Sequence, residues 1–593
     1  MELSVIQNPD LVVAIDVGST YSGYAWQWRT NFLSNKQNVE FNTNWGSGTP
    51  QIHKTNRAIL FKADRNAQYG LETVAFGYKA EQRYARICSD EGTDKKETYH
   101  MFKEFKIVLY RQTETEGGPE PIAEDSKGMC FPFSDVMALF IKAMINDLFT
   151  KKPSTKGAKQ ILWVLTVPAI WSEKAKKIMQ NAAVQAGIDR KHLLLASEPE
   201  AAAIYCLNLP AEQQVALNNI GTPGHCFLTV DLGGGTADLS AVQVEQDGRL
   251  KELCGEGGDL VGGQSVNNAF FQACNDNFKG TEWSRKFSEA TPLEVMNMEH
   301  EFEKCKIAIG SEEIDETIQL PLPCSVRESF RDGRIQLANQ QTQISITRQE
   351  DLKFETSFVR DNLFDQACRL INKVIENVLD KQNNIQTVVL VGGFAESSIV
   401  QEKLKLMLQQ KYPTVQVVVP TSPFRAVLMG AVLFGHDRLI YKSRISRATY
   451  GVRTNVLFDD KKHDQTKKWL NNEDGKYYCN DVFDLHVKKG QSVVLNELTI
   501  GKTYLPMYKH QKQLTLQLFK SVSDGHEDGT VMYTTDESCK KVGEISVDLS
   551  DTDTTNPKRE ACVRMIYGGT QLSVIATEPV TGKEYNADIS FNV

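Results

Sequence analysis

The sequence predicts an α/β protein with two similar lobes, followed by a separate antiparallel β region. Three observations carry this prediction. A strand-Asp-Gly-turn-strand unit occurs twice, as LVVAIDVGSTYSGYAWQW (11–28) and LTVDLGGGTADLSAV (228–242), with Asp16 and Asp231 215 positions apart. Apolar runs such as ILWVLTV (161–167) lead into helix patterns, as buried parallel strands do. After Tyr450 the apolar residues change to period two. A long-range repeat of one hairpin unit implies two lobes, each presenting its hairpin to a shared cleft.

At 593 residues the chain is too long for one core, and three to five compact units are expected at about 100 to 200 residues each. A 41% hydrophobic share with 24% charged residues suits a globular protein. The net charge of −8 disfavours nucleic acid as the main partner, because a polyanion needs a basic face. No apolar run approaches the roughly 20 residues that span a bilayer, and the first ten residues lack a signal-peptide pattern, so a cytoplasmic protein is expected. The 12 cysteines form no C-x-x-C pair and the ten histidines no H-E-x-x-H, which points away from zinc or a disulfide framework.

In chain order, the first hairpin reaches Asp16 and Gly18 and turns through Ser19, Thr20 and Tyr21. From 31 to about 128 the pattern is irregular, and in MFKEFKIVLY the lysines Lys103 and Lys106 stand among apolar residues. Ser172 and Glu173 open a helix that Gly187 closes. The short strand after it ends in Glu198, and Pro199 starts the next helix at its permitted first turn. A carboxylate at the carboxyl end of a buried strand is where α/β folds place site residues.

The second hairpin holds Gly233, Gly234 and Gly235 between Asp231 and Asp238. The glycines are expected to supply unusual φ values and close approach, so that backbone N–H groups face an anion. Carboxylates beside a phosphate call for a divalent cation between them, with Mg²⁺ the usual one. On that stretch alone, a plain β-hairpin with a Gly-rich turn is the alternative. A turn through Gly262 and Gly263 enters a helix at about Ser265, and 294–309 reads as a helix with Glu303 and Lys306 on its polar face. Short strands and turns are expected over 314–347 and a periodic helix over 363–379. The strand 387–391, Gly392-Gly393 and a helix from about Glu396 form a third glycine signal; 426–434 adds a closing helix. Beyond it, Phe483, Leu485 and Val487, or Leu514, Leu516 and Leu518, alternate as in a β-sandwich of about 145 residues.

Three nucleotide-type motifs in this order resemble the actin-like ATPase superfamily, with its ribonuclease H-like repeats. VLTVPAIWSEKAKKIMQNAAVQAGI, LLLASEPEAAAIYC and GEGGDLVGGQSVNNAF narrow the resemblance to the 70-kDa heat-shock chaperone family, and to its divergent 12A/12B-like branch. The resemblance implies a nucleotide-binding domain over 1–445 (lobe I about 1–220 with the final helix about 426–440, lobe II about 221–425). A β-sandwich resembling a substrate-binding domain would cover 446–593. It further implies ATP or ADP with Mg²⁺ as cofactors, and Asp16, Asp231 and Asp238 as carboxylates around the hydrated metal. Gly18, Ser19, Thr20, Tyr21, Gly233, Gly234, Gly235 and Thr236 would line the phosphates, Glu198 would orient water, and Lys106, preferred to Lys103 because Ile107-Val108-Leu109 follows it, would reach the γ-phosphate. Lys106, Glu198, Asp231 and Thr236 are then the catalytic set; Gly263, Glu303, Lys306, Ile307, Gly392, Gly393 and Phe394 would meet the nucleoside.

The departures are specific. Ile307 stands where the family has an adenine-stacking arginine, and Phe394 and Glu396 stand where it has a serine and an arginine. Gln264 and Ser265 replace two acidic residues, the acidic-apolar interdomain linker is absent, and no helical segment that could form a lid follows the β region. The expected function is a slowly ATP-hydrolysing, chaperone-like protein that binds unfolded or client polypeptides and co-chaperones. A nucleotide-dependent interaction scaffold with little hydrolysis is the alternative, and a sugar kinase of the same superfamily a more distant one.

Overall fold

The computed structural model describes residues 8–45, 54–90, 98–113, 118–255, 257–278, 282–309, 317–335, 344–347, 351–495, 497, 499–523, 531–550, 559–568 and 571–589. The chain divides into two compact units, one of residues 1–241 and 256–437, the other of 242–255 and 438–593.

In the first unit, two sheets repeat one topology. Leu11–Val17 turns back antiparallel through Tyr21–Trp28, while on its other side Ile161–Val167 runs parallel to it, followed by parallel Leu193–Ser197. The second sheet sets Cys226–Leu232 beside Ala237–Val244, with Thr387–Val391 parallel on the far side and Gln416–Val418 beyond. Leu11–Val17 and Cys226–Leu232 are buried along their whole length. Such continuous apolar runs suit strands covered on both faces. Each hairpin therefore delivers its aspartate near the carboxyl end of a fully covered strand.

The helix Ala426–His436 packs on Leu11–Val17 and on Glu198–Leu207, which in turn packs on Cys226–Leu232. Gly430 makes this close approach possible, because a Cβ there would overlap the Ala201 carbonyl. The helix pair thus fixes the end of Leu193–Ser197, and with it Glu198.

Several local expectations are corrected. The irregular region contains the helix Tyr78–Asp90 and the three-stranded sheet of Ala58–Ala63, Leu71–Phe76 and Tyr99–Lys103. Its core residues Ala58, Leu60, Ala80, Tyr84 and Met101 come from separate short segments, so no single window shows the period. The stretch expected to be strands and turns includes the helix Cys324–Arg331, whose eight residues are too few to display a stripe beyond Val326 and Ser329. The third glycine turn enters a helix at Ser398 rather than about Glu396, after a 3₁₀ turn over Phe394–Glu396, and the Gly262-Gly263 turn enters its helix two residues early, at Gly263.

In the second unit, five strands order as Lys468–Leu470, Tyr477–Val487, Thr449–Leu457, Gln513–Ser521 and Cys539–Asp548. Four more order as Lys502–Tyr504, Ala561–Gly568, Gln571–Thr577 and Glu584–Ile589. Val452, Leu516, Leu518 and Val547 from the first sheet share a buried cluster with Val563, Met565, Val574 and Ala576 from the second. Phe591 and Val593, which continue the period-two apolar spacing from Ile589 in the sequence, lie outside the described residues. Among the described residues no helix is long and apolar enough to cross a membrane.

Candidate functional site

A cavity of about 450 Å³ opens in the first unit where the two hairpins meet. Asp16, Gly18, Ser19, Thr20 and Tyr21 line it from the first hairpin, and Asp231, Gly233, Gly234 and Thr236 from the second. Glu198, Gly263, Glu303, Lys306, Gly392, Gly393 and Phe394 also line it, joined by Gln264 and Glu396, whereas the expected Lys106, Gly235 and Asp238 do not. Long-range folding thus gathers residues from position 16 to position 427 around one cavity.

The glycines work by proximity. None of Gly233, Gly234 and Gly235 is among the residues with positive φ, so the expectation of unusual φ is corrected. Instead a Cβ on Gly234 would overlap the Thr20 hydroxyl, and one on Gly235 would crowd the Ser19 side chain at 2.8 Å. The two hairpins touch there, turn against turn. Gly235 consequently packs behind Ser19 and does not line the cavity. Gly392 does need its freedom: its φ is +88°, and a Cβ would overlap the Asp231 carboxylate. The turn at Gly262-Gly263 backs the second hairpin, with Gly263 N–H donating to the Gly233 carbonyl (3.1 Å) and Gln264 N–H to that of Gly234 (2.7 Å).

Charge is concentrated here. Asp16, Asp231, Asp238 and Glu198 are all buried, and so is Lys106. Lys106 Nζ donates to Glu198 Oε1 at 2.9 Å and lies 4.9 Å above the Trp171 ring. It therefore sits behind the cavity wall, tied to Glu198. Lys103 turns elsewhere, pairing with Glu81 at 3.2 Å and Glu299 at 3.0 Å. Asp238 also stands back: its Oδ1 accepts from the Ala169 and Ile170 amides at 2.7 and 3.3 Å, while its buried Oδ2 has no hydrogen-bond partner. Thr166 Oγ1 and Lys54 Nζ donate to the two oxygens of Asp16, at 2.8 and 2.6 Å.

Burial and mutual repulsion set the protonation. Burial pushes Glu198 up to about 8 against the pull of Lys106, with Asp16, Asp238 and Asp231 adding to the rise. Burial and Asp238 push Asp231 up to about 7 despite Lys54, and burial lifts Asp238 to about 6 against the nearby Thr236 hydroxyl and the Ile170 and Ala169 amides. Asp16 goes the other way, because Lys54 and Lys106 outweigh its burial. Four carboxyl groups face only two lysines, and three of the four rise, so they hold protons rather than all ionising together. Among the described residues, no three carboxylate, imidazole or thiol groups form a direct metal cage.

On the opposite wall, Lys306 Nζ donates to Glu303 Oε1 (2.6 Å), Asn267 Oδ1 (2.8 Å) and the Gly263 carbonyl (3.2 Å). Phe394 is buried and stacks near Phe364, ring centroids 6.1 Å apart. The Ile307 side chain lies outside the described residues.

Sequence reasoning missed Lys54, Tyr78, Ser397, Phe424 and Val427, which also line the cavity. Lys54 carries no motif; it is delivered because Thr55–Asn56 pairs with Tyr21–Ser22. Phe424 and Val427 had a usable signal, since they flank the start of the closing helix.

The family model described as Hsp70 protein matches residues 92–439. The chain is 28% identical to heat shock 70 kDa protein 12B of Homo sapiens, and 26% to heat shock 70 kDa protein 12A of the same species. Each alignment covers 98% of this chain and 91% of the relative. Chaperone protein dnaK1 of a Synechocystis species is 22% identical over 54% of this chain and 40% of its own length.

Proposed function

This chain belongs to the Hsp70 family, and from that premise we propose that it is a slow ATPase whose nucleotide state governs polypeptide binding by its β-rich unit. The observation that carries the reading is the group of four buried carboxyl groups with buried Lys106 and partly exposed Lys54, set beside two hairpins that line one cavity. Family membership supports nucleotide binding and a chaperone-like role in general.

The donor set fits a hydrated divalent cation, because four buried carboxyl groups outnumber the two lysines and Asp238 Oδ2 is a buried oxygen without a hydrogen-bond partner. Asp16, Asp231 and Asp238 would hold Mg²⁺ through its waters, and the bound ion would neutralise the polyphosphate. The remaining roles belong to the chain. The backbone at Gly18, Ser19, Thr20, Gly233 and Gly234 and the hydroxyl of Thr236 receive phosphate oxygens. Glu198, held by Lys106, orients a water for in-line attack on the γ-phosphoryl group. Lys106, expected to reach the γ-phosphoryl group, instead acts from behind the cavity wall, where its bond to Glu198 keeps that side chain aimed. Glu303 and Lys306 present paired polar atoms to the ribose, while Gly392, Gly393 and Phe394 form the base side. The second unit, read as a β-sandwich, takes the client.

Single-turnover phosphate release tests the enzymatic part. Glu198→Gln is expected to lower the rate about a hundredfold, the usual contribution of a positioned acid-base group, and Asp231→Ala to abolish it. Rates equal to that of the unsubstituted chain would remove the ATPase claim. A nucleotide-binding scaffold without turnover is the second reading, favoured by the Glu396 carboxylate lining the cavity where the family resemblance sets an arginine. Tight ATP binding with no phosphate release would select it.

A further inference from the structure

The segment 54–57 braces the first hairpin from outside. Its register, Ser22 opposite Thr55 and Tyr21 opposite Asn56, brings the two flanking cations onto the turn. Arg57 Nη1 donates to the Gly18 carbonyl at 2.8 Å, and Lys54 Nζ to Asp16 Oδ2 at 2.6 Å. The two cations differ in what they can do. Arg57 is buried, 5.2 Å from the Phe105 ring, and does not line the cavity, so it serves as a lock on the Gly18 turn. Lys54 lines the cavity, and its side chain keeps 21% exposure.

Lys106, the other lysine facing the carboxylates, is buried and committed to Glu198. Of the two lysines that line the cavity, Lys306 is buried against Glu303, so Lys54 is the one beside the hairpin turns positioned to meet an entering anion. Its ammonium is a compact charge on a flexible stem, able to change partner without moving the backbone. A polyphosphate beside Gly18, Ser19 and Thr20 would offer it more negative charge than the single carboxylate of Asp16 does. Releasing Asp16 would in turn free that carboxylate for a metal-bound water.

We propose that Lys54 is an exchangeable counter-ion: it neutralises Asp16 in the nucleotide-free protein and swings to the phosphate oxygens of an entering nucleoside polyphosphate, leaving Asp16 to the hydrated cation. This rests on the nucleotide reading given above. It makes Lys54 a phosphate ligand that also suppresses metal binding before the nucleotide arrives.

Two equilibrium constants of opposite sign test it on the full chain. ATP binding in the presence of EDTA is measured by calorimetry, and Mn²⁺ binding to nucleotide-free protein by electron paramagnetic resonance. Lys54→Met is expected to weaken metal-free ATP binding about tenfold or more, and to tighten Mn²⁺ binding several-fold, as loss of one partly buried charge predicts. Lys54→Arg, which keeps the charge, is expected to hold ATP near the unsubstituted value. Circular dichroism monitors folding, and Lys54→Gln takes the place of the methionine variant if that one unfolds. Unchanged constants, or parallel loss of ATP and Mn²⁺ binding in a folded variant, would overturn the proposal. An unsubstituted chain that binds no ATP, with or without Mg²⁺, would overturn the nucleotide reading itself and this exchange with it, so the two failures are told apart.

Discussion

Asp16 and Asp231 are equivalent by repeat and opposite in electrostatics. Lys54 and Thr166 hold Asp16 ionised, whereas Asp231 faces Asp238 across the second hairpin and rises to about 7. The consequence is a sign for the pH dependence of stability. Glu198, Asp231 and Asp238 have folded pKa values above their ordinary 4.5 and 3.8, so the folded chain binds protons that the unfolded chain does not. Their contribution is fully present below the ordinary values and is lost as pH rises through about 6 to about 8. The nucleotide-free protein is therefore expected to melt at a higher temperature at pH 6.5 than at pH 8.5, and saturating Mg²⁺ with nucleotide to flatten the difference. A flat or inverted profile in the nucleotide-free protein would contradict the charge assignment. His436, buried and lowered to about 4, acts in the opposite direction below its ordinary 6.5, so it offsets the carboxyl effect at acid pH but not between pH 6.5 and pH 8.5.

At the scale of elements, position is inherited from packing. Glu198 sits at the start of Glu198–Leu207, and that helix is fixed by its close contact with Ala426–His436. Adding one methyl at Gly430 forces the helices apart against the Ala201 carbonyl. Gly430→Ala is expected to cost about 1–3 kcal/mol, as overpacking does. It should also slow single-turnover hydrolysis more than it weakens ATP binding, because the displaced group is Glu198. Equal loss of both, measured by rapid quench and calorimetry, would show that the helix pair does not aim that carboxylate. The long covered strands and the glycine turns were legible in the sequence, since Leu11–Val17 and Thr387–Val391 write their burial as unbroken apolar runs. Tyr78–Asp90 was not, because its buried partners come from the short flanking strands Ala58–Ala63 and Tyr99–Lys103 and no single window shows them together. Lys54 was illegible for the same reason: a two-residue β-pairing, not a local pattern, carries it to Asp16.

For the whole molecule, the repeat of one topology in two sheets explains why so much of the candidate site could be read in advance. Each sheet ends its central strand in an aspartate and turns through small residues, so matching motifs 215 positions apart meet around one cavity. What a repeat cannot encode is asymmetry, and the part of the cavity away from the hairpin turns is where the two halves differ most. There Phe394, Glu396 and the Glu303–Lys306 pair have no counterpart in the paired hairpins. The central claim is that this cavity binds a Mg-nucleotide, and equilibrium calorimetry of ATP with the purified full chain tests it most directly. The account predicts one saturable site, strengthened by Mg²⁺ and lost in Asp231→Ala; no saturable binding at millimolar ATP, or binding indifferent to Asp231, would contradict it.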